Sequence, residues 1–294
     1  MADAAGATAT VNGGMRLSVV HRTAFHYASP VRDSVNMLHL EPQDFPFQKT
    51  ISCFIRVLPA VRLRRFTDLF QNTTHEFDLP DPHVKLEIES RLKVLNQPLV
   101  LTDASREGTM DDITEVSARE WIWQFLQESR WVSKHPEIWK CAVDVTYGVS
   151  SVFRRASLLM EWIHGEFRYE SGVTEVNTHL EEVFEHRHGV CQDFAHVMIG
   201  MCRSIGIPAR YVSGYLYNGP RDHLLGSQAS HAWCEVYLPQ AGWTGFDPTN
   251  NTLADERYVK IAVGRDYDDV KPVEGSYRGT SVSRMDVHVE VTRV

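Results

Sequence analysis

Gly189-Val190-Cys191-Gln192-Asp193-Phe194-Ala195-His196-Val197-Met198-Ile199 is the stretch on which the reading of this chain turns. It leads from a glycine to a thiol and runs on, apolar at helical spacing, to Gly206, a residue suited to ending a helix. Positions 191, 194, 195, 198, 202 and 205 share one face of such a helix. They read Cys, Phe, Ala, Met, Cys, Ile, and that stripe is expected to be buried. Cys191, in the first turn, meets unpaired backbone N–H groups and the positive end of the dipole. Both favour the thiolate, which is the nucleophile. Cys202 lies about 16 Å further along the axis, too far away for a disulfide. It reads as a core residue, as do Cys53 and Cys141.

Forty residues beyond the thiol, Ser230-His231-Ala232-Trp233 falls in an alternating strand over 229–238. Ser230, Ala232, Cys234 and Val236 point one way and suit a core; His231, Trp233 and Glu235 point the other way, where a cleft can form. A second strand, 243–247, follows Pro239-Gln240-Ala241-Gly242 and ends in Phe246-Asp247-Pro248-Thr249. If the two strands form a hairpin, Asp247 comes level with residues 231–235. It is then expected to accept the Nδ1–H of His231 and leave Nε2 for the thiol. Taken singly, a strand histidine or a buried thiol is usually structural. Cys, His and Asp together, on helix, strand and strand end, are what nucleophilic acyl transfer requires.

Composition narrows the alternatives. The 294 residues are 43% apolar with a net charge of −8, which provides no electrostatic attraction to nucleic acid or to an anionic membrane. No apolar run approaches the roughly 18 residues of a membrane span. Residues 1–14 are small and polar, lack the features of a signal peptide, and are expected to form a disordered tail. The five cysteines (53, 141, 191, 202 and 234) are irregularly spaced, so a reducing cytoplasm is expected rather than a disulfide framework. Asp266, Asp268 and Asp269 lack the spaced oxygens and glycine of a calcium loop. Cys191, His196 and His231 have zinc-type chemistry, but His196 lies roughly 140° round the helix from Cys191. Neither a metal nor any other cofactor is expected.

Along the chain, strands are expected at Met15–Tyr27, Ser34–Leu40, Thr50–Leu58 and His83–Leu95, with a hairpin from Arg62–Phe70 and Asn72–Phe77. Residues 15–95 thus read as an antiparallel β-rich domain and 96–112, with Pro98 and Gly108, as a linker. Helices are expected at Glu115–Gln127 and Val152–Phe167, and from the capping pattern Thr178-His179-Leu180-Glu181. A core over 113–270 and a C-terminal segment, 271–294, ending in a strand from Met285 complete an α+β chain.

Several of these blocks together resemble the bacterial transglutaminase-like family. They are Gly189–Ala195, Gly206-Ile207-Pro208-Ala209-Arg210-Tyr211-Val212-Ser213-Gly214-Tyr215, His231-Ala232-Trp233, Gly242-Trp243, Phe246–Thr249 and Val263–Val270. The opening strands resemble that family's N-terminal β-rich region. The resemblance implies a papain-like core with Cys191 as nucleophile, His231 as base and Asp247 as its orienter. It leaves the reaction open, since the superfamily includes transglutaminases, proteases, peptide N-glycanases and inactive descendants. The expected activity is hydrolysis of an amide, peptide or isopeptide bond in a protein, peptide or γ-glutamyl-type substrate. The alternatives are acyl transfer to an amine and a non-catalytic binding module. The Cys191 N–H is a natural oxyanion donor. Tyr169 and Gln192 are candidates for the second donor, and Trp233 for a cleft wall.

Overall fold

The computed structural model describes residues 13–117, 119–170, 178–219, 225, 230–279 and 282–294. The expected tail, 1–14, lies outside them except for its last two residues. Strands β1 (Met15–Glu41), β2 (Gln48–Leu58), β3 (Arg64–Thr67), β4 (Thr73–Leu79) and β5 (His83–Asn96) form an antiparallel sheet. Two strands from the far end of the chain, β13 (Val273–Arg278) and β14 (Val282–Arg293), bring it to seven. The two strands expected either side of Ser29-Pro30 are one continuous strand. Before Pro30, β1 runs between β14 and β5; after it, between β13 and β4. The proline, which has no N–H to donate, falls where the register shifts from one set of partners to the other.

Residues 96–126 hold α1 (Asp103–Glu107), α2 (Met110–Ser117), α3 (Glu120–Trp123) and a 3-10 turn, Gln124–Leu126. The helix expected over Glu115–Gln127 is therefore broken, because Arg119 is extended (φ −74°, ψ 128°). The sequence reading passes over α4 (Pro136–Val145), whose start is set by a proline in its first turn and by His135 Nδ1 accepting the Glu137 N–H. In α5 (Val152–Glu166) the Ser151 hydroxyl accepts the Arg154 N–H at 3.2 Å. A short parallel pair, β6 (Arg168–Tyr169) and β7 (His188–Gly189), brackets α6 (Leu180–His186). That helix starts one residue later than the capping pattern implies, with His179 at the cap position.

The decisive stretch is α7 (Cys191–Ser204). It ends as the glycine predicts. Gly206 is left-handed (φ 83°), its N–H reaches Arg203 O at 3.1 Å, and Ile207 N–H reaches Cys202 O at 2.9 Å. The helix packs against a second sheet and is backed by α4, α5 and α6. That sheet has the order β11-β10-β9-β8-β12, with β8 (Ala209–Leu216), β9 (His231–Leu238), β10 (Gly242–Asp247), β11 (Thr252–Leu253) and β12 (Tyr258–Gly264). Enclosed on both sides, α7 is buried around its whole circumference and not along one stripe; of residues 191–203 only Gln192 is half-exposed. Its polar residues are satisfied internally. His196 Nε2 accepts the Tyr267 N–H at 3.2 Å, and Arg203 donates to the carbonyls of Ala209, Gln127 and Arg265. No helix among the described residues is long and apolar enough to cross a membrane.

Candidate active site

The chain reaches Cys191 from β7, where Gly189 pairs with Tyr169. The Asp193 carboxylate folds back to accept the Val190 N–H at 2.8 Å, which closes the first turn of α7. Gly189 makes the room: a Cβ there would lie 2.6 Å from Asp193 Oδ2. Asp193 is thus engaged with the backbone ahead of the thiol. Cys191 itself is 9% exposed, at the rim of the core.

His231 opens β9 and Asp247 closes β10. The register of this hairpin pairs Phe246 with Cys234, so Asp247 comes level with Trp233, two residues past His231. The imidazole spans that offset with its far nitrogen: His231 Nε2 donates to Asp247 Oδ2 at 2.8 Å. This reverses the two ring nitrogens relative to the sequence-based expectation, in which Nδ1 meets Asp247. Nδ1 is instead the nitrogen left over, buried and without a hydrogen-bond partner among the described residues. The Cys191 thiol acts on the ring yet lies outside strict hydrogen-bond geometry with Nδ1.

Asp247 is fully buried and holds five hydrogen bonds. Oδ1 accepts the backbone N–H groups of Thr249 (2.9 Å) and Asn250 (3.3 Å). Oδ2 accepts from His231, from the Tyr258 hydroxyl at 2.8 Å and from Asn250 Nδ2 at 2.7 Å. Burial alone would raise the proton affinity of this carboxyl; the charge of His231 and the donors His231, Asn250 and Tyr258 outweigh it and hold the carboxyl below its ordinary range. For His231, burial disfavours the charge, but the Asp247 carboxylate, and after it the Cys191 thiol, raise the ring to about 10. A buried imidazolium between a carboxylate and a thiol suits a group that passes a proton to and from sulfur.

Trp233 lies beside His231. Its ring stacks on His231 (6.1 Å between centroids, 26°) and meets Tyr258 edge-on (5.3 Å). Two glycines leave space for the indole: a Cβ on Gly214 would lie 2.7 Å from its ring, and one on Gly245 3.2 Å from its Nε1. Glu235, next on the same face, is buried between Arg210 (Nε 2.8 Å) and Lys260 (Nζ 2.7 Å). The opposite face of β9 packs on α7, with Cys234 against Cys202, both fully buried. Tyr169 is half-buried, edge-on to Phe194, and Gln192 is half-exposed in the first turn of α7. The acidic run is occupied locally: Asp266 accepts the N–H groups of Trp131 and Asp268, Asp268 pairs with Arg130 and Lys271, and Asp269 pairs with Arg265.

The sequence reading missed Tyr258 and Asn250. Asn250 has a local signal, because an aspartate that caps the N–H groups two and three residues on is an ordinary turn motif. Tyr258 has none: it sits at the opposite edge of the sheet order from β10.

Residues 140–248 match the transglutaminase-like superfamily, and residues 17–95 match the bacterial transglutaminase-like N-terminal region. The chain is 33% identical over 294 residues to an uncharacterized protein of Mycobacterium leprae, a match covering 95% of this chain and 99% of that one. A stretch of 111 residues is 37% identical to a protein-glutamine gamma-glutamyltransferase of Pseudomonas aeruginosa, covering 35% of this chain and 16% of that protein. Among solved structures, a candidate cysteine protease from Cytophaga hutchinsonii is similar with a TM-score of 0.78 and 22% identity, over 96% of this chain and 92% of that one. That likeness concerns the fold: an α+β chain with a papain-like, transglutaminase-like core behind an antiparallel β region.

Proposed function

The chain belongs to the transglutaminase-like superfamily, and from that premise we propose that it is a cysteine-dependent enzyme that cleaves amide, peptide or isopeptide bonds through a thioester. The observation that carries this reading is the orientation of His231. Nε2 is bound to a buried carboxylate, and Nδ1 is buried with no hydrogen-bond partner among the described residues, while the Cys191 thiol acts on the ring.

In this reading Cys191 Sγ, its proton held by His231, attacks the substrate carbonyl carbon. A C–S bond forms and the carbonyl oxygen takes up the electron pair, facing the Cys191 backbone N–H at the helix start. As the carbonyl re-forms, the C–N bond breaks, and the leaving nitrogen takes the proton from His231 Nδ1. The neutral imidazole then draws a proton from water, which attacks the thioester, releases the acid and restores the thiol pair. Asp247 stays ionised and keeps the ring in register. The substrate is a protein, a peptide or a γ-glutamyl-type amide.

A second reading, transfer of the acyl group to a primary amine, is favoured by the stretch shared with the Pseudomonas aeruginosa gamma-glutamyltransferase. The two share every step up to the thioester and differ in what resolves it. A screen of glutamine and isopeptide substrates with and without an added primary amine separates them. Free acid and ammonia or amine alone support hydrolysis, and covalent capture of the added amine supports transfer. If neither product forms, and Cys191 reacts with a thiol-directed electrophile no faster than an ordinary exposed thiol, the enzymatic reading is wrong.

A further inference from the structure

The second sheet ends at β12, and side chains close its open edge where a further strand would lie. An edge strand exposes a row of N–H and C=O groups that must find partners when buried. Three amides of the N-terminal sheet supply them. Gln48, at the start of β2, donates Nε2 to Lys260 O at 2.7 Å and accepts the Lys260 N–H on Oε1 at 2.8 Å. Asn72, just ahead of β4, does the same at Val263, with both bonds at 2.8 Å. Asn96, at the end of β5, donates Nδ2 to the carbonyls of Glu256 (3.1 Å) and Tyr258 (2.9 Å). All three amides are buried. A primary amide offers a donor and an acceptor side by side, as a peptide group does, so Gln48 and Asn72 stand in for a neighbouring strand.

The first residue of this clamped strand is Tyr258. Its hydroxyl donates to Asp247 Oδ2, the same oxygen that takes His231 Nε2, and its ring packs against Trp233 and His231. We propose that the N-terminal sheet is a positioning element of the site: through Gln48, Asn72 and Asn96 it holds β12, β12 sets Tyr258, and Tyr258 sets the Asp247 carboxylate on which His231 rests. Its meaning for catalysis rests on the reading of His231 and Asp247 given above; the physical linkage can be measured whether or not the protein turns over a substrate.

The test uses the full chain with labelled histidine and follows the ¹⁵N and downfield ¹H signals of the His231 ring. The variants are Tyr258→Phe, Asn96→Ala and the double variant, each with its thermal midpoint. Tyr258→Phe keeps the ring and removes one donor from Asp247. It is expected to move the His231 signals and to change the rate of Cys191 alkylation at pH 7 by roughly 3- to 10-fold. Asn96→Ala is expected to move the same signals in the same direction by less. The double variant should match Tyr258→Phe alone, because Asn96 acts through Tyr258. If Asn96→Ala does not fold, Gln48→Glu makes the same test, since it keeps the acceptor for Lys260 N–H and removes the donor. A lower thermal midpoint with unmoved His231 signals overturns the proposal, as do fully additive shifts in the double variant. A wild-type Cys191 that fails to alkylate counts against the catalytic reading and leaves the His231 measurement valid.

Discussion

Asp247→Asn keeps the shape of the side chain and changes which of its outer atoms can accept a hydrogen bond. Oδ1 takes two backbone N–H groups, from Thr249 and Asn250, and these donors cannot turn away. Oδ2 takes two donors that can adapt, a hydroxyl that rotates and an imidazole that can move its proton, beside the Asn250 amide, which the Leu225 backbone also holds. The asparagine oxygen therefore stays with the backbone, and its NH₂ turns toward His231. The ring responds by accepting through Nε2 and carrying its proton on Nδ1, the nitrogen left for the thiol. The charge is lost as well. The rise of His231 from 6.5 to about 10 corresponds to about 5 kcal/mol at 1.36 kcal/mol per unit; without the carboxylate, burial pulls the other way. The same exchange in a Ser-His-Asp triad lowers turnover about 10⁴-fold through the wrong tautomer. Here the rate of Cys191 alkylation by iodoacetamide at pH 7 is expected to fall by roughly 10²- to 10⁴-fold. Intact-protein mass spectrometry reads the rate, with Cys191→Ala as the blank and circular dichroism to check folding. A folded Asp247→Asn protein that alkylates within about threefold of wild type would refute the argument.

Glu235→Gln leaves Arg210 and Lys260 buried without their shared anion; a loss of ~3–5 kcal/mol is expected in urea denaturation, and a loss below about 1 kcal/mol contradicts the account of that cluster. Gly214→Ala would set a Cβ 2.1 Å from Val259 O and 2.7 Å from the Trp233 ring, so a loss of at least about 2 kcal/mol is expected by thermal denaturation. His231 is raised in the folded state, so its contribution to stability is complete below pH 6.5 and disappears as the pH climbs through about 10. The stability gap between wild type and His231→Gln should therefore narrow from pH 7 to pH 10, and a constant gap across that range would speak against a charged ring. Cys202→Ala, buried against Cys234, should leave labelling by a thiol-directed electrophile intact, whereas Cys191→Ala should abolish it; peptide mapping of the labelled protein decides this.

Much of this arrangement can be read without coordinates because its signals are local. Helical spacing from Cys191 to Ile205, the glycine after it and the alternation of 231–236 each depend on residues a few positions apart. The hairpin inference held for the same reason: a short turn between 238 and 242 leaves one way to pair the strands. Local signals failed where distant partners decide. Pro30 reads as a strand end, yet β1 continues past it because β13 and β14, from the other end of the chain, pair with its two halves. The α7 stripe reads as one buried face, yet the helix is enclosed all round because α4, α5 and α6 cover the side that the sheet leaves open.

By itself the sequence determined the thiol at a helix start, the histidine and aspartate on adjacent strands, and the α+β class of the chain, because these follow from short-range periodicity and turn chemistry. Only the tertiary structure decided which imidazole nitrogen meets Asp247, since that depends on a two-residue offset between paired strands. It alone brought Tyr258 to the same carboxylate oxygen and laid the amides of Gln48, Asn72 and Asn96 along β12. Those contacts join residues up to 212 positions apart. They form only when two sheets meet and every buried edge group must find a partner.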